Sequence, residues 1–234
     1  NHLSSPYEFW LLLSQYAPAV VLGVDNPYTG WLADEIEEAN RQAVESLLER
    51  GLITETADGY DADDDLLAMA EVCVHPRHTV ILQRSLEDGG NEQRFIHMSD
   101  KLIVEHYLVE PEKHMLGVIL SHQALIDHMT ERLGLRAAGE GKGKPFKLPE
   151  ALLFEVSALG ESGQAEDIRG KLKDAGLDEP ELASLVETLC EPTANSSIAV
   201  VANQGDPETQ HVCGFGLLQG AADLWVMTPF ESLG

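Results

Sequence analysis

VESLLERGL (Val44–Leu52) and IRGKLKDAGL (Ile168–Leu177) end alike: a leucine, three further residues, a glycine and a second leucine. Glycine accepts positive φ at low cost, so each stretch reads as the last turn of a helix followed by its stop. Outward from the first stretch, Trp31–Arg50 is one long helix. Its apolar positions Leu32, Ile36, Ala39, Ala43 and Leu47 follow the helical period. Asp34, Glu35, Glu37, Glu38, Glu45 and Glu49 form its wet face, and the acids at its start suit the helix dipole. Before it, Tyr7–Gln15 is a short helix ended by Pro18, and Ala19–Val24 (AVVLGV) is a buried strand leading to a turn at Asn26–Pro27. After it, an acidic turn capped by Asp61 or Asp63 opens a helix that Pro76 closes. Thr79–Arg84, Arg94–Met98 and Leu102–Val109 are strands of an antiparallel meander, and Leu120–Leu133 is a further helix.

Outward from the second stretch the plan repeats. Gly134–Leu148 is a flexible Gly- and Lys-rich connection. Helices at Pro149–Leu159, Ala165–Ala175 and Glu179–Cys190 precede strands at Ser197–Asn203, His211–Leu218 and Asp223–Thr228. Gly51 corresponds to Gly176, Leu52 to Leu177 and Pro76 to Pro192. The expected fold is α+β: pseudo-twofold duplicated halves with a central antiparallel sheet flanked by helices. Residues 1–133 form an N-terminal half-repeat, 134–148 the connection and 149–234 a C-terminal half-repeat, together one structural domain. The competing account is coincidence, because glycine stops are common.

The chain has 234 residues, 15 Lys and Arg against 40 Asp and Glu, and a net charge of −25. DNA carries about one negative charge per 1.7 Å of axis, so a field of this sign disfavours nucleic acid and anionic membrane alike. The one basic cluster is Lys142, Lys144 and Lys147. The three cysteines, Cys73, Cys190 and Cys213, do not suggest a disulfide framework. Phe9–Val24 is too short and too interrupted to span a bilayer. A cytoplasmic protein is expected.

Motifs of chemistry were tested by spacing. GEGKGK (Gly139–Lys144) lacks the leading Gly of a phosphate loop, having Ala138 there, and Pro145 stands where a Ser or Thr would meet Mg²⁺. CGFGLLQG (Cys213–Gly220) has its third Gly one residue late and no helix after it, so close strand packing is the better reading. DADDD (Asp61–Asp65) has Leu66 and Val72 where a calcium loop needs Gly and Glu. Five of the nine histidines lie between His97 and His128. His122 and His128 fall about 240° apart on a helix, and His106 and Glu105 point to opposite faces of a strand. His75 and His78 flank a turn at Pro76–Arg77. Scattered surface or hydrogen-bonded histidines are expected, with no catalytic residue, no metal and no cofactor.

PAVVLGVDNPYTG (Pro18–Gly30), LLERGLI (Leu47–Ile53), the DGYD turn (Asp58–Asp61), the strands from Thr79 to Val109 and the stretch Ser196–Pro229 are similar, over nearly the whole chain, to the EspG proteins of type VII secretion systems. The resemblance implies a non-catalytic cytosolic chaperone. Its client would be a helical secretion substrate of the PE/PPE type, and a homodimer stays open. In that family the loop between the second and third strands contributes to binding. Here it matches SLEDGGNEQ, that is Ser85, Leu86, Glu87, Asp88, Gly89, Gly90, Asn91, Glu92 and Gln93, with Leu86 as its apolar anchor. An ordinary hairpin loop is the plain alternative. The alternative function is a regulator derived from a winged-helix module, which the Val44–Leu52 helix ending also resembles, binding a protein or a small ligand.

Overall fold

The computed structural model describes residues 2–16, 21–86, 89–110, 113–136, 145–179, 181–202 and 209–229. The helices are α1 (Pro6–Leu13), α2 (Ala33–Glu49), α3 (Asp64–Val74), α4 (His122–Arg132), α5 (Glu150–Glu161), α6 (Ala165–Asp174) and α7 (Glu181–Cys190). The strands are β1 (His2–Ser4), β2 (Ile53–Thr56), β3 (Gly59–Ala62), β4 (His78–Ser85), β5 (Asn91–Met98), β6 (Ile103–Glu110), β7 (Lys113–Ile119), β8 (Ala194–Ala202), β9 (His211–Gln219) and β10 (Leu224–Met227). Eight strands hydrogen-bond in the order β1-β7-β6-β5-β4-β8-β9-β10, and β2 and β3 form a separate hairpin. Pairing is antiparallel for β1–β7, β6–β7, β5–β6, β9–β10 and β2–β3. The class is α+β.

The two helix endings behave as read. Leu52 N–H donates to Leu47 O at 2.9 Å and Gly51 N–H to Leu48 O at 3.0 Å; Leu177 pairs with Leu172 at 3.1 Å and Gly176 with Lys173 at 2.9 Å. Gly51 and Gly176 have φ of 66° and 90°. Each is a Schellman stop, which satisfies two of the carbonyls a helix end leaves open. Leu47 and Leu172 lie buried one turn inside. The same bond pair closes α4 at Gly134–Leu135 and α5 at Gly163–Gln164. The device thus recurs at four helices, not two.

The chain divides into two compact units, Asn1–Ile81 with Gln93–Ile126 and Val200–Val212, and Leu82–Glu92 with Asp127–Ala199 and Cys213–Gly234. In the first, Phe9, Leu12, Leu66, Met69, Cys73, Val104 and Leu116 bring α1 and α3 onto β6 and β7. In the second, Val156, Ile168, Leu172, Leu182, Val186 and Leu218 join α5, α6 and α7 to β9. Gly214 of β9 lies against β8: a Cβ on it would meet Ile198 O at 2.8 Å.

Of the strand expected at Ala19–Val24, the described part, Val21–Val24, is a turn. Residues 17–20 lie outside the described residues. Val24 N–H donates to Val21 O at 3.2 Å, and Gly23 turns with φ of 79°. A Cβ on Gly23 would stand 2.2 Å from the Phe95 ring. Val21 and Val24 are apolar because they pack into the core with Phe9 and Leu66. β1, the β2–β3 hairpin and β7 were not expected. Most of the Gly134–Leu148 connection, residues 137–144 with Lys142 and Lys144, lies outside the described residues.

Glu8 locks α1 to α2. It is the fourth residue of a capping box with Ser5, and its buried carboxylate accepts from Ser5 N–H at 2.7 Å, Ser46 Oγ at 2.6 Å and Arg50 Nη1 at 3.0 Å. Glu8→Gln keeps the cap, since glutamine also closes such a box, but removes the charge that a half-exposed Arg50 meets. Urea unfolding should show a loss of about 1–2 kcal/mol, and Glu8→Ala a larger one.

Candidate functional site

The hairpin Ser85–Gln93 is built from the ends of two strands. Ser85 closes β4, and Asn91, Glu92 and Gln93 open β5. Between them Leu86 N–H donates to Gly90 O at 2.8 Å and accepts, through its carbonyl, Gly89 N–H at 3.0 Å. Gly89 has φ of 83°, which a branched side chain resists. Glu87 and Asp88 lie outside the described residues. Leu86 is 39% exposed, an apolar side chain at the end of β4.

The same unit presents an apolar residue that sequence reasoning missed. Phe154 on α5 is 68% exposed. It stands about 160° round the helix from the buried Val156, with Ala151 and Ala158, also exposed, on its own side. An aromatic ring opposite the apolar stripe is the signal that was available. Scattered exposed apolar residues are ordinary, but a phenylalanine between two alanines leaves room for a second helix to approach closely.

Three histidines are hydrogen-bonded, as expected, but they are gathered rather than scattered. His97, His106 and His114 converge on one face of β5, β6 and β7, all buried. His106 Nε2 and His114 Nδ1 are 2.8 Å apart, and Thr79 Oγ1 is 3.1 Å from His97 Nδ1. Ring centroids are 6.0 Å apart for His97–His106 and 5.1 Å for His106–His114. Phe9 of α1 covers the row, its ring 5.2 Å from His106 and 4.9 Å from His114. Burial pushes His97 and His114 down to about 4. His106 lies well below the ordinary range, first through burial and then through the rings of His114 and His97. Sequence spacing could not reveal the row, because strand register assembles it. Among the described residues no group of three or more His, Cys, Asp and Glu side chains could hold a metal ion. Burial pushes the Cys73 thiol up, so it is inert as a nucleophile. His75 is the exposed C-cap of α3, in edge contact with Tyr16.

On the opposite face of the same strands lies a buried ion pair. Arg94 Nη1 donates to Glu105 Oε1 at 2.8 Å, and the guanidinium sits 3.9 Å from the centre of the Tyr107 ring. No described helix is long and apolar enough to cross a membrane.

These features belong to an α+β protein with helices packed on an antiparallel sheet. No protein-family model and no curated protein matches the sequence. Among solved structures, the chain is similar to the Mycobacterium tuberculosis type VII secretion system chaperone EspG5 in complex with the PE25-PPE41 dimer. The TM-score is 0.66 at 14% identity, covering 99% of this chain and 92% of that one. The likeness is one of fold.

Proposed function

We propose that the chain is a non-catalytic protein-binding chaperone that acts in the cytoplasm and holds a helical secretion substrate of the PE/PPE type. The observation that carries this is the fold likeness, over 99% of the chain, to a chaperone solved with a PE-PPE dimer. The Ser85–Gln93 turn, with Leu86, and the outer face of α5, with Phe154, are the surfaces assigned to the client. A helical client suits them, since an apolar helix face meets its partner through a few protruding side chains. The net charge of −25 supports a protein partner over nucleic acid. Residues 1–133 and 149–234 are read as two versions of one helix-then-sheet unit.

Purified chain titrated against a panel of PE-PPE dimers that includes PE25-PPE41 tests this. At least one dimer should bind, and Leu86→Asp and Phe154→Asp should each weaken that binding about tenfold or more. Both residues are exposed, so melting temperatures should stay within about 2 °C. Binding that is absent throughout, or unchanged in both variants, refutes the reading or the surface respectively.

One observation favours the regulator reading: the β2–β3 hairpin follows α2 directly, as a wing follows a recognition helix. Charge argues against DNA as its target. Arg41 on α2 is engaged by Glu38 at 2.6 Å and by Glu45, and the rest of the exposed face is largely acidic. Labelled duplex DNA at low salt should show no complex.

A further inference from the structure

Among the described side chains, the histidine row has no acid beside it to receive a charge. From α1 it meets Phe9, while Glu8, the acid of that helix, is bound by Ser46 and Arg50 of α2. β1 places Ser4 opposite His114, and His2 one step along the same face. β4 supplies Thr79, and its His78 alternates to the other side. α3 contributes Cys73 to the same core, and its acids Asp64, Asp65 and Glu71 are exposed. Glu105 on β6 and Lys113 on β7 alternate away. His97 Nε2, His106 Nδ1 and Ser4 Oγ have no hydrogen-bond partner among the described residues. The row is therefore held buried and neutral, and any proton it takes up is a buried cation beside another imidazole.

We propose that this row is an acid-sensitive latch: protonation in mildly acidic conditions releases α1 and the β1–β7 edge from the face that Phe9 now covers. His106 and His114 sit against Phe9 of α1, and His97 stacks on His106 behind them, so opening there exposes the row from its α1 side. A histidine kept neutral in the closed form gains its proton only on opening. Opening is therefore favoured progressively as pH falls from about 6.5, the ordinary histidine value, towards 4, and pH has no such effect above about 7. Each ring contributes up to about a tenfold change per pH unit in that window. The rest of the chain pulls the other way. At a net charge of −25, mild acid neutralises carboxylates and relieves self-repulsion, which tightens a folded body.

Backbone hydrogen exchange of the full chain between pH 7 and pH 5, corrected for intrinsic exchange, tests this. Protection of Pro6–Leu13 and of β7 should fall about a hundredfold or more, while α5, α6 and α7 lose less than tenfold. In His114→Gln the fall should shrink by at least about tenfold; if that variant does not fold, His97→Met serves the same comparison. Protection of α1 and β7 that holds down to pH 5 overturns the proposal. So does an equal loss in α5–α7, which is global unfolding, or a folded variant with the full fall.

Discussion

Glu105→Ala lowers the melting temperature by about 6–20 °C. The Arg94 and Glu105 side chains are 8% and 9% exposed, so neither charge is well hydrated. Glu105→Ala takes away the partner that Arg94 meets at 2.8 Å, and breaking a buried pair of this kind costs about 3–5 kcal/mol. In a domain of this length each kcal/mol moves the midpoint by about 2–4 °C. The Tyr107 ring over Arg94 returns no more than about 2 kcal/mol of this cost. The same physics gives a second outcome. Arg94→Met with Glu105→Leu removes both charges and keeps the volume apolar, and should recover to within about 1 kcal/mol of the parent. Calorimetry of the two single variants and the double one decides between them. If Glu105→Ala melts within 2 °C of the parent, the pair is wetter than its burial indicates.

What could be read from the residues follows from what each element rests on. α2 and α6 carried an apolar stripe and a glycine stop, both local, and both formed where expected. That the same stop also closes α4 and α5 removes weight from Gly51 and Gly176 as marks of duplication: a shared cap is common to helices, not to halves. The β2–β3 hairpin was missed because its register pairs Thr54 with Asp61, Glu55 with Tyr60 and Thr56 with Gly59, all exposed, so no alternation of polarity marks it. Its one signal was Asp58–Gly59, a turn dipeptide read only as a loop. β1 exists through pairing with β7, more than a hundred residues away, and no local pattern specifies that. The Ser85–Gln93 turn was legible from its glycines and its position between two strands. Phe154 was legible in principle, since a ring on the wet side of a helix contradicts the stripe around it. The histidine row was not, because His97, His106 and His114 become neighbours through the registers of β5 on β6 and β6 on β7.

The second large effect falls where two helices touch through backbone. Gly160 lies buried in α5, and a Cβ added there would stand 2.3 Å from Leu189 O and 3.3 Å from Leu189 Cβ on α7. The nearest obstacle is a main-chain carbonyl, which cannot rotate aside as a long side chain would. Gly160→Ala therefore has to push α5 from α7, and both helices share one core with α6 through Val156, Ile168, Leu172 and Leu185. Overpacking of this kind costs about 3 kcal/mol, less the helix preference of alanine over glycine, up to about 1 kcal/mol. A net loss of about 2–3 kcal/mol moves the melting point down by about 4–12 °C. Gly170 supplies the control on α6. It too is helical, but it is exposed and a Cβ there meets nothing within 4 Å. Gly170→Ala should stabilise by about 0.5–1 kcal/mol, because only the propensity gain survives. Opposite signs for one substitution in neighbouring helices of the same bundle would locate the cost in the α5–α7 contact itself. A Gly160→Ala variant as stable as Gly170→Ala would mean that α5 and α7 do not approach through Gly160 in solution.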